Sequence, residues 1–350
     1  MDRLNRTDIK SMTLRELKER FARDGLQQYH ALQVYRWLSR GVCGFDEMSD
    51  LPKQFRAKLA AENYIACAEV ERKSCSKLDD TVKYLFRMHD GQLVESVLMH
   101  YRHGRSVCIS SQVGCRMACE FCATGKSGYA RNLTASEMLA QVQAAQKDAG
   151  TRISNIVLMG MGEPLDNYEN VLRFLDLVSS EEGMNVGMRH ISLSTCGVVD
   201  KICDLAGKDY QLTLSVSLHA PNDVIRSRLM PVNRRWGVAE LMKACRFYLE
   251  RTGRRISFEY AMIGGVNDSR ECAAELAGLL HGMLCHVNLI PVNSVEGSSF
   301  RKSSPERTQQ FLHTLAAAGI TATVRRTLGA DIDASCGQLR RRYEEEAAHA

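Results

Sequence analysis

From Ser106 onward this chain alternates strand-like and helical runs, and that alternation narrows its fold more than any other feature. The strand-like runs are VCIS, ISNIVLMG, HISLSTC, QLTLSVSL, RISFEYAM, CHVNLIP and ITATVRR. Between most of them lie helical stretches such as ASEMLAQVQAAQK, YENVLRFLDLV, VAELMKACRFYLERT and PERTQQFLHTLAAAG. Parallel strands need a long crossover, usually a helix, so the pattern predicts an α/β fold around a parallel sheet. Six or seven units fall short of the eight in a closed barrel, and an incomplete barrel is expected. In such sheets chemistry belongs at the C-terminal ends of the strands.

The residues before the alternation read differently. Leu14, Leu17 and Phe21 recur at helical spacing, as do Ala31, Val34, Tyr35 and Leu38, and Leu51-Pro52 opens another helix through Phe55, Leu59 and Ala60. Residues 1–75 are expected to form a small helical N-terminal domain. TVKYLFRM and QLVESVLM flank Asp90-Gly91, which predicts a β-hairpin extension within 76–104. The barrel core then runs over 105–332, and 333–350 form a C-terminal loop and tail. No apolar run approaches the roughly 18 residues of a membrane span, and the charged N-terminus lacks a signal-peptide core. A cytoplasmic monomer away from membranes is expected.

Thirteen cysteines in 350 residues are the compositional anomaly. An odd count without a secretion signal argues against a disulfide scaffold; the thiols sort into metal ligands, redox-active groups and core filler. The net charge is only +5 but is unevenly spread. Between Tyr101 and Arg131 stand Arg102, Arg105, Arg116, Lys126 and Arg131 against Glu120 alone. From Pro221 to Arg255 stand Arg226, Arg228, Arg234, Arg235, Lys243, Arg246, Arg251, Arg254 and Arg255 against Asp223, Glu240 and Glu250. Such segments suit a polyanion such as nucleic acid, and equally suit solvated helix faces. Trp236, set among arginines, either stacks a base or closes a core edge.

Directly after the first strand of the alternation, GCRMACEFC spaces Cys115, Cys119 and Cys122 as C-x3-C-x2-C. Three thiolates in one loop can wrap a polynuclear iron–sulfur cluster. A cubane has four irons, so three cysteines leave one open to bind a small molecule. A structural zinc site competes, since three cysteines and a histidine close a tetrahedron, although no second spaced pair follows. Three buried structural thiols are the plain alternative. MGMGEP superficially suggests a phosphate loop but lacks the G-x-G-x-x-G spacing.

The triplet resembles the signature of radical S-adenosylmethionine (SAM) enzymes. CISSQVGCRMACEFCATGKSGYARNLTASEM, MGMGEP, LSTCGVV, SLHAPND, FEYAMIGGVND, HVNLIPVN and DIDASCGQL follow in the order of one branch. Over nearly its whole length the chain resembles the RlmN family, adenine C2-methyltransferases of ribosomal and transfer RNA, and its relatives, the C8-methylating Cfr resistance enzymes. The resemblance implies a partial (β/α)6-type radical SAM barrel with a 4Fe-4S cluster on Cys115, Cys119 and Cys122. It implies SAM held by Gly162, Glu163, Ser194, Ser217, Leu218, His219 and Asn293. Several of these are expected at or just past strand ends, where hydroxyl, imidazole, amide and carboxylate groups can address a ligand, with Gly162 letting it approach the backbone.

Further roles follow from the same resemblance. One SAM methylates Cys336; the radical from a second SAM takes a hydrogen from that S-methyl group, and the carbon adds to adenine C2. Glu95 accepts the ring proton, and Cys108 attacks the Cys336 sulfur, leaving a transient disulfide that outside reductant resets. Without the resemblance Cys108 would be core filler and Glu95 a solvent-facing strand residue. Cys336, followed by a glycine past the last strand, suggests a shaped, exposed loop. The implied partners are 23S ribosomal RNA at the peptidyl transferase centre, transfer RNA beside the anticodon, and an external flavodoxin-like electron donor. The basic segment 221–255 and the N-terminal helices are the expected grips on phosphate, and RRRYEEE is a solvated helix end with some RNA affinity. ATGKSG leans toward the C8 branch, whereas LSTCGVV, RRISFEY, GGVND and HVNLIPVN lean toward C2, which is the expectation. A non-catalytic Fe–S or zinc RNA-binding protein is the alternative of another class, and would have no use for Cys336. Cys43, Cys67, Cys75, Cys196, Cys203, Cys245, Cys272 and Cys285 read as structural, Cys196 alone lying near the expected SAM pocket, and Met159 and Met161 read as core.

Overall fold

The computed structural model describes residues 6–102, 104–292, 300–332, 339 and 343. The first 62 residues hold three helices, α1 (Leu14–Arg23), α2 (Gln28–Ser39) and α3 (Lys53–Glu62). Thr13 and Glu16 form a reciprocal capping box that fixes the start of α1. The expected apolar faces are the buried ones: Leu17 and Phe21 on α1, and Ala31, Val34, Tyr35 and Leu38 on α2. These helices share one continuous core with the following α/β unit. Polar contacts add to that packing: Arg173 reaches Glu16 at 2.6 Å, and the buried Gln143 amide donates to Leu38 O at 2.9 Å.

One sheet of ten strands follows: β1 (Glu69–Cys75), β2 (Val82–Arg87), β3 (Leu93–Tyr101), β4 (Gly104–Cys108), β5 (Asn155–Leu158), β6 (Ile191–Thr195), β7 (Thr213–Ser217), β8 (Ile256–Met262), β9 (Cys285–Pro291) and β10 (Ala322–Val324). β1–β4 pair antiparallel, with Asp90-Gly91 turning β2 into β3 as expected; β4–β10 are parallel and correspond to the seven runs seen in the sequence. Helices α4 (Ala135–Ala149), α5 (Tyr168–Ser179), α6 (Val199–Ala206), α7 (Asp223–Leu229), α8 (Val238–Thr252), α9 (Arg270–Leu280) and α10 (Pro305–Ala317) fill the crossovers. α6, α7, α9 and β1 had not been foreseen.

The sheet is curled. Neighbouring strands stand about 4.8 Å apart, so β4 and β10 would lie about 29 Å from each other in a flat sheet. Yet Cys108 on β4 and Arg325 beyond β10 line the same cavity of about 380 Å³. Val97, Met99, Cys108 and Met159 form an apolar stretch of its inner wall, with Val157 packed against them. The incomplete barrel is therefore present. Among the described residues no helix is long and apolar enough to cross a membrane. Among the described residues one disulfide, Cys43–Cys67, joins two of the cysteines read as structural; their Cα atoms stand 5.8 Å apart, within bridging reach.

Candidate active site

The cysteine triplet sits in a loop held shut at its base. Gln112–Gly114 pair antiparallel with Tyr129–Asn132, and Cys115 N–H donates to Gly128 O at 2.8 Å. Gly114 must be glycine here: its φ is +82°, and a Cβ would lie 2.0 Å from Gly128 O. Gly125 makes room beneath Cys119, where a Cβ would sit 3.0 Å from the Cys119 backbone. At its crown the loop is tied to the barrel, Glu120 N–H donating to Leu229 O at 3.0 Å.

Cys115, Cys119 and Cys122 all face the cavity. Burial pushes the Cys115 thiol up to about 12 and raises Cys119 further still, with the neighbouring sulfurs adding repulsion. Three crowded, desolvated thiols are costly to ionise, and a polynuclear iron cluster supplies the positive charge that offsets this. Among the described residues no three His, Cys, Asp or Glu groups converge tightly enough for a single metal ion, which disfavours the zinc reading. The residues fit a 4Fe-4S cluster.

The opposite wall is built from strand ends. Past β5, Gly160 packs where a Cβ would meet Ile109 O at 2.5 Å. Gly162 (φ +101°) has its missing Cβ replaced by Gln112, 2.6 Å away, so the protein itself needs this glycine, beyond any ligand. Gln112 Oε1 in turn accepts Glu163 N–H at 2.9 Å. Glu163 lies five residues past the strand rather than at its end, and is 3% exposed. Its two oxygens accept Leu165 N–H at 2.9 Å and Cys196 N–H at 2.7 Å. Burial raises its pKa and those N–H groups pull it back, so the carboxylate is oriented and still has lone pairs for a cationic ligand group.

Ser194 on β6 and Ser217, the last residue of β7, line the same cavity. His219 follows with φ +56°, and its Nδ1 accepts Ala261 N–H at 2.9 Å, which leaves the proton on Nε2. Burial, then the Arg226 charge, lowers its pKa to about 3, so the ring is a neutral donor at any physiological pH. Phe121 of the cysteine loop meets it edge-on at 4.8 Å. Leu218 does not line the cavity; its side chain is buried in the core.

Cys108 ends β4, buried and facing the cavity. Glu95 is 1% exposed and does not line the cavity, but lies on the strand face of Val97, which does. Its Oε2 is 3.1 Å from Lys83 Nζ, itself fully buried, so the solvent-facing reading of Glu95 fails. Asn293 and Cys336 fall outside the described residues.

Several expectations are corrected by burial. Met159 lines the cavity, whereas Met161 is core as expected. Of the two readings of Trp236 the core edge holds: it is 9% exposed under the Arg235 guanidinium. Arg226 is wholly buried and cannot grip a phosphate. Tyr343, in the stretch read as a solvated end, bonds Glu71 and Arg87. Cavity residues the sequence did not reveal include Glu259, Tyr101, Met230 and the Arg325-Arg326 pair. Glu259 could have been found by its place on a strand, FEYAM, whose other residues are apolar or aromatic.

Comparisons with known proteins agree with this geometry. Residues 109–277 match the Radical SAM superfamily, and residues 7–65 match the ribosomal RNA large subunit methyltransferase N-terminal domain. The chain is 49% identical over 340 residues to the probable dual-specificity RNA methyltransferase RlmN of Thermoanaerobacter sp. (strain X514), covering 97% of this chain and 99% of that one. It is 50% identical over 340 residues to the same-named protein of Caldanaerobacter subterraneus subsp. tengcongensis, with the same two coverages. A crystal structure of a radical SAM methyltransferase from Sphaerobacter thermophilus superposes with a TM-score of 0.91 at 49% identity, covering 95% of this chain and 98% of that one. With its cysteine loop, strand-end pocket and N-terminal helices matched along nearly the full length, the chain belongs to the RlmN family of radical SAM RNA methyltransferases.

Proposed function

We propose that this enzyme methylates C2 of an adenosine in 23S ribosomal RNA and in transfer RNA beside the anticodon, using two SAM molecules per turnover. The observation that carries the reading is convergence: Cys115, Cys119, Cys122, Cys108, Glu163, Ser194, Ser217 and His219 all line one cavity of a size that takes a cofactor. The cluster, on the three loop cysteines, would supply the electron that cleaves SAM. Glu163 would hold the SAM ammonium, while Ser194, Ser217, the neutral His219 and Asn293 would address its carboxylate, ribose and adenine. Cys336 carries the one-carbon unit as an S-methyl group. Once that carbon has bonded to adenine C2, Glu95 takes the ring proton. The Cys108 thiolate then attacks the Cys336 sulfur; the unpaired electron left by radical addition would return to the cluster, the S–C bond breaks toward the base, whose methylene carbon takes up a proton to become the methyl group, and a Cys108–Cys336 disulfide remains for a flavodoxin-like or thiol reductant.

The target base has to leave its stack to reach such a cavity. The exposed arginines of 228–255 and the N-terminal helices are the phosphate grips of this reading, and Arg325-Arg326 at the cavity wall add charge next to the entering nucleotide. Incubating the anaerobic, cluster-loaded enzyme with methyl-deuterated SAM, reductant and each RNA, then analysing nucleosides by mass spectrometry, tests it. Labelled 2-methyladenosine is expected from both RNAs. Labelled 8-methyladenosine would move the enzyme to the Cfr-type chemistry that ATGKSG resembles.

A further inference from the structure

Arg226 is the largest fully buried side chain of the described residues, and no carboxylate lies within ion-pair distance of it among them. Charge buried this way is expensive unless every N–H is used for something. Here the guanidinium spans two strand ends. Nη2 donates to Cys196 O at 2.6 Å and to Ser217 O at 3.3 Å, and Nε donates to Leu218 O at 3.1 Å. Nη1 donates to Asn233 Oδ1 at 2.8 Å, and Asn233 is itself fixed by Asp223 and Ser227. The same Cys196 presents its N–H to Glu163, so one side chain joins Glu163, the segment after Ser194, and Ser217-Leu218. Gly197 is cut to fit it: a Cβ there would stand 3.2 Å from Nη2. The helix that carries Arg226, α7, also takes the Glu120 N–H of the cysteine loop on Leu229 O.

We propose that Arg226 is a positioning residue of the active site, a buried permanent cation that locks the ends of β6 and β7 into one SAM-binding edge and lends positive charge to the cluster side of it. The proposal rests on the reading of Glu163, Ser194 and Ser217–His219 as the SAM subsite. Only arginine does both jobs: its planar fork reaches carbonyls on two strands at once, and it does not lose its proton on burial.

The test uses cluster-loaded, full-length protein under anaerobic conditions, with SAM binding measured by calorimetry and the cluster midpoint by EPR-monitored titration. Arg226→Gln is expected to weaken SAM binding about tenfold or more, the scale of losing charge-assisted bonds at a buried site. It should also make the cluster harder to reduce, a tenfold smaller reduced fraction at fixed potential corresponding to about 59 mV for one electron. Arg226→Lys keeps the charge without the fork, so it should lose SAM affinity while holding the midpoint. An Arg226→Gln protein that melts earlier yet binds SAM within twofold at an unchanged midpoint overturns the proposal and makes Arg226 a packing residue. If that variant does not fold, Asn233→Leu removes the Nη1 anchor together with the Asn233 bonds to Asp223 and Ser227; SAM affinity at least threefold weaker with an unmoved midpoint supports the strut, and unchanged affinity sinks it. Glu163→Gln separates the two layers: should it bind SAM like the wild type, the subsite reading has failed rather than the role of Arg226.

Discussion

Gln141 of α4 offers a sharp test of how the site is held, because its amide substitutes for a missing strand partner. It is fully buried; Oε1 accepts Ser110 N–H at 2.9 Å and Ser96 Oγ at 2.9 Å, while Nε2 donates to Ser110 O at 3.0 Å. Ser110 is the turn out of β4, and its own hydroxyl donates to Glu95 O at 2.6 Å and accepts Met161 N–H at 2.9 Å. Gln141→Leu keeps the volume and removes the amide, so no cavity cost enters. Two backbone groups and a hydroxyl are orphaned at about 1–3 kcal/mol each, of which the added apolar burial returns part. A net loss of about 3–5 kcal/mol is expected, read as a lower urea midpoint at unchanged slope. Hydrogen exchange over residues 105–113 should accelerate with it. Gln141→Glu, which keeps the acceptor and loses the donor, should fall between. A Gln141→Leu protein within about 1 kcal/mol of the wild type would refute the claim that this amide completes the backbone pairing at Ser110.

Three further outcomes are expected. Lys10, buried with its ammonium on Ala66 O at 2.9 Å, has its pKa lowered by burial from 10.5 to about 7. The unfolded chain therefore binds the extra proton between those values, and the penalty is absent above pH 10.5 and full below pH 7. Lys10→Met should accordingly be more stable than the wild type by up to about 5 kcal/mol near neutrality, with the gap closing as pH rises; a gap in thermal unfolding that ignores pH would contradict this. Gly114→Ala should fold but bind less than half the iron of the wild type on reconstitution, measured as iron per chain, since the loop base cannot close; full loading would show that the clasp is dispensable. Lys83→Met and Glu95→Gln should each cost about 3–5 kcal/mol by breaking a buried ion pair, and the double variant should recover part of it in a melting experiment.

The parallel strands were legible because each is a short run of β-branched and apolar residues, and the active-site wall was legible because its glycines, serines and histidine sit where those runs stop. β1 was not: EVERKSC is mostly charged and lies on the sheet edge, so nothing in its pattern distinguishes it from a loop. Arg226 misled for a related reason. On the sequence it is one of nine basic residues in a charged stretch, and only packing shows that its helix turns that one inward while Arg228 stays in solvent. Met159 was read as core and instead lines the cavity, since hydrophobicity predicts burial but not whether the burying surface is core or cavity. Glu95 was named from the resemblance, and its ion pair with Lys83 depends on a cross-strand register that no local pattern encodes.

The sheet order carries a consequence for how the chain is made. Among the described residues, every strand from β1 to β10 is hydrogen-bonded only to the strands numbered next to it, so no strand waits for one laid down much later. As the chain emerges during synthesis, the antiparallel β1–β4 unit closes by local hairpins and becomes the template on which each β–α unit is laid in turn. Until the next unit arrives, the newest strand is a naked edge able to pair with another chain. The last one, β10, is three residues long, a termination too short to recruit a stranger. The cavity, which needs residues from both ends of this series, closes only when synthesis of the barrel is complete, so an oxygen-sensitive cofactor has no complete pocket to enter on a half-made chain.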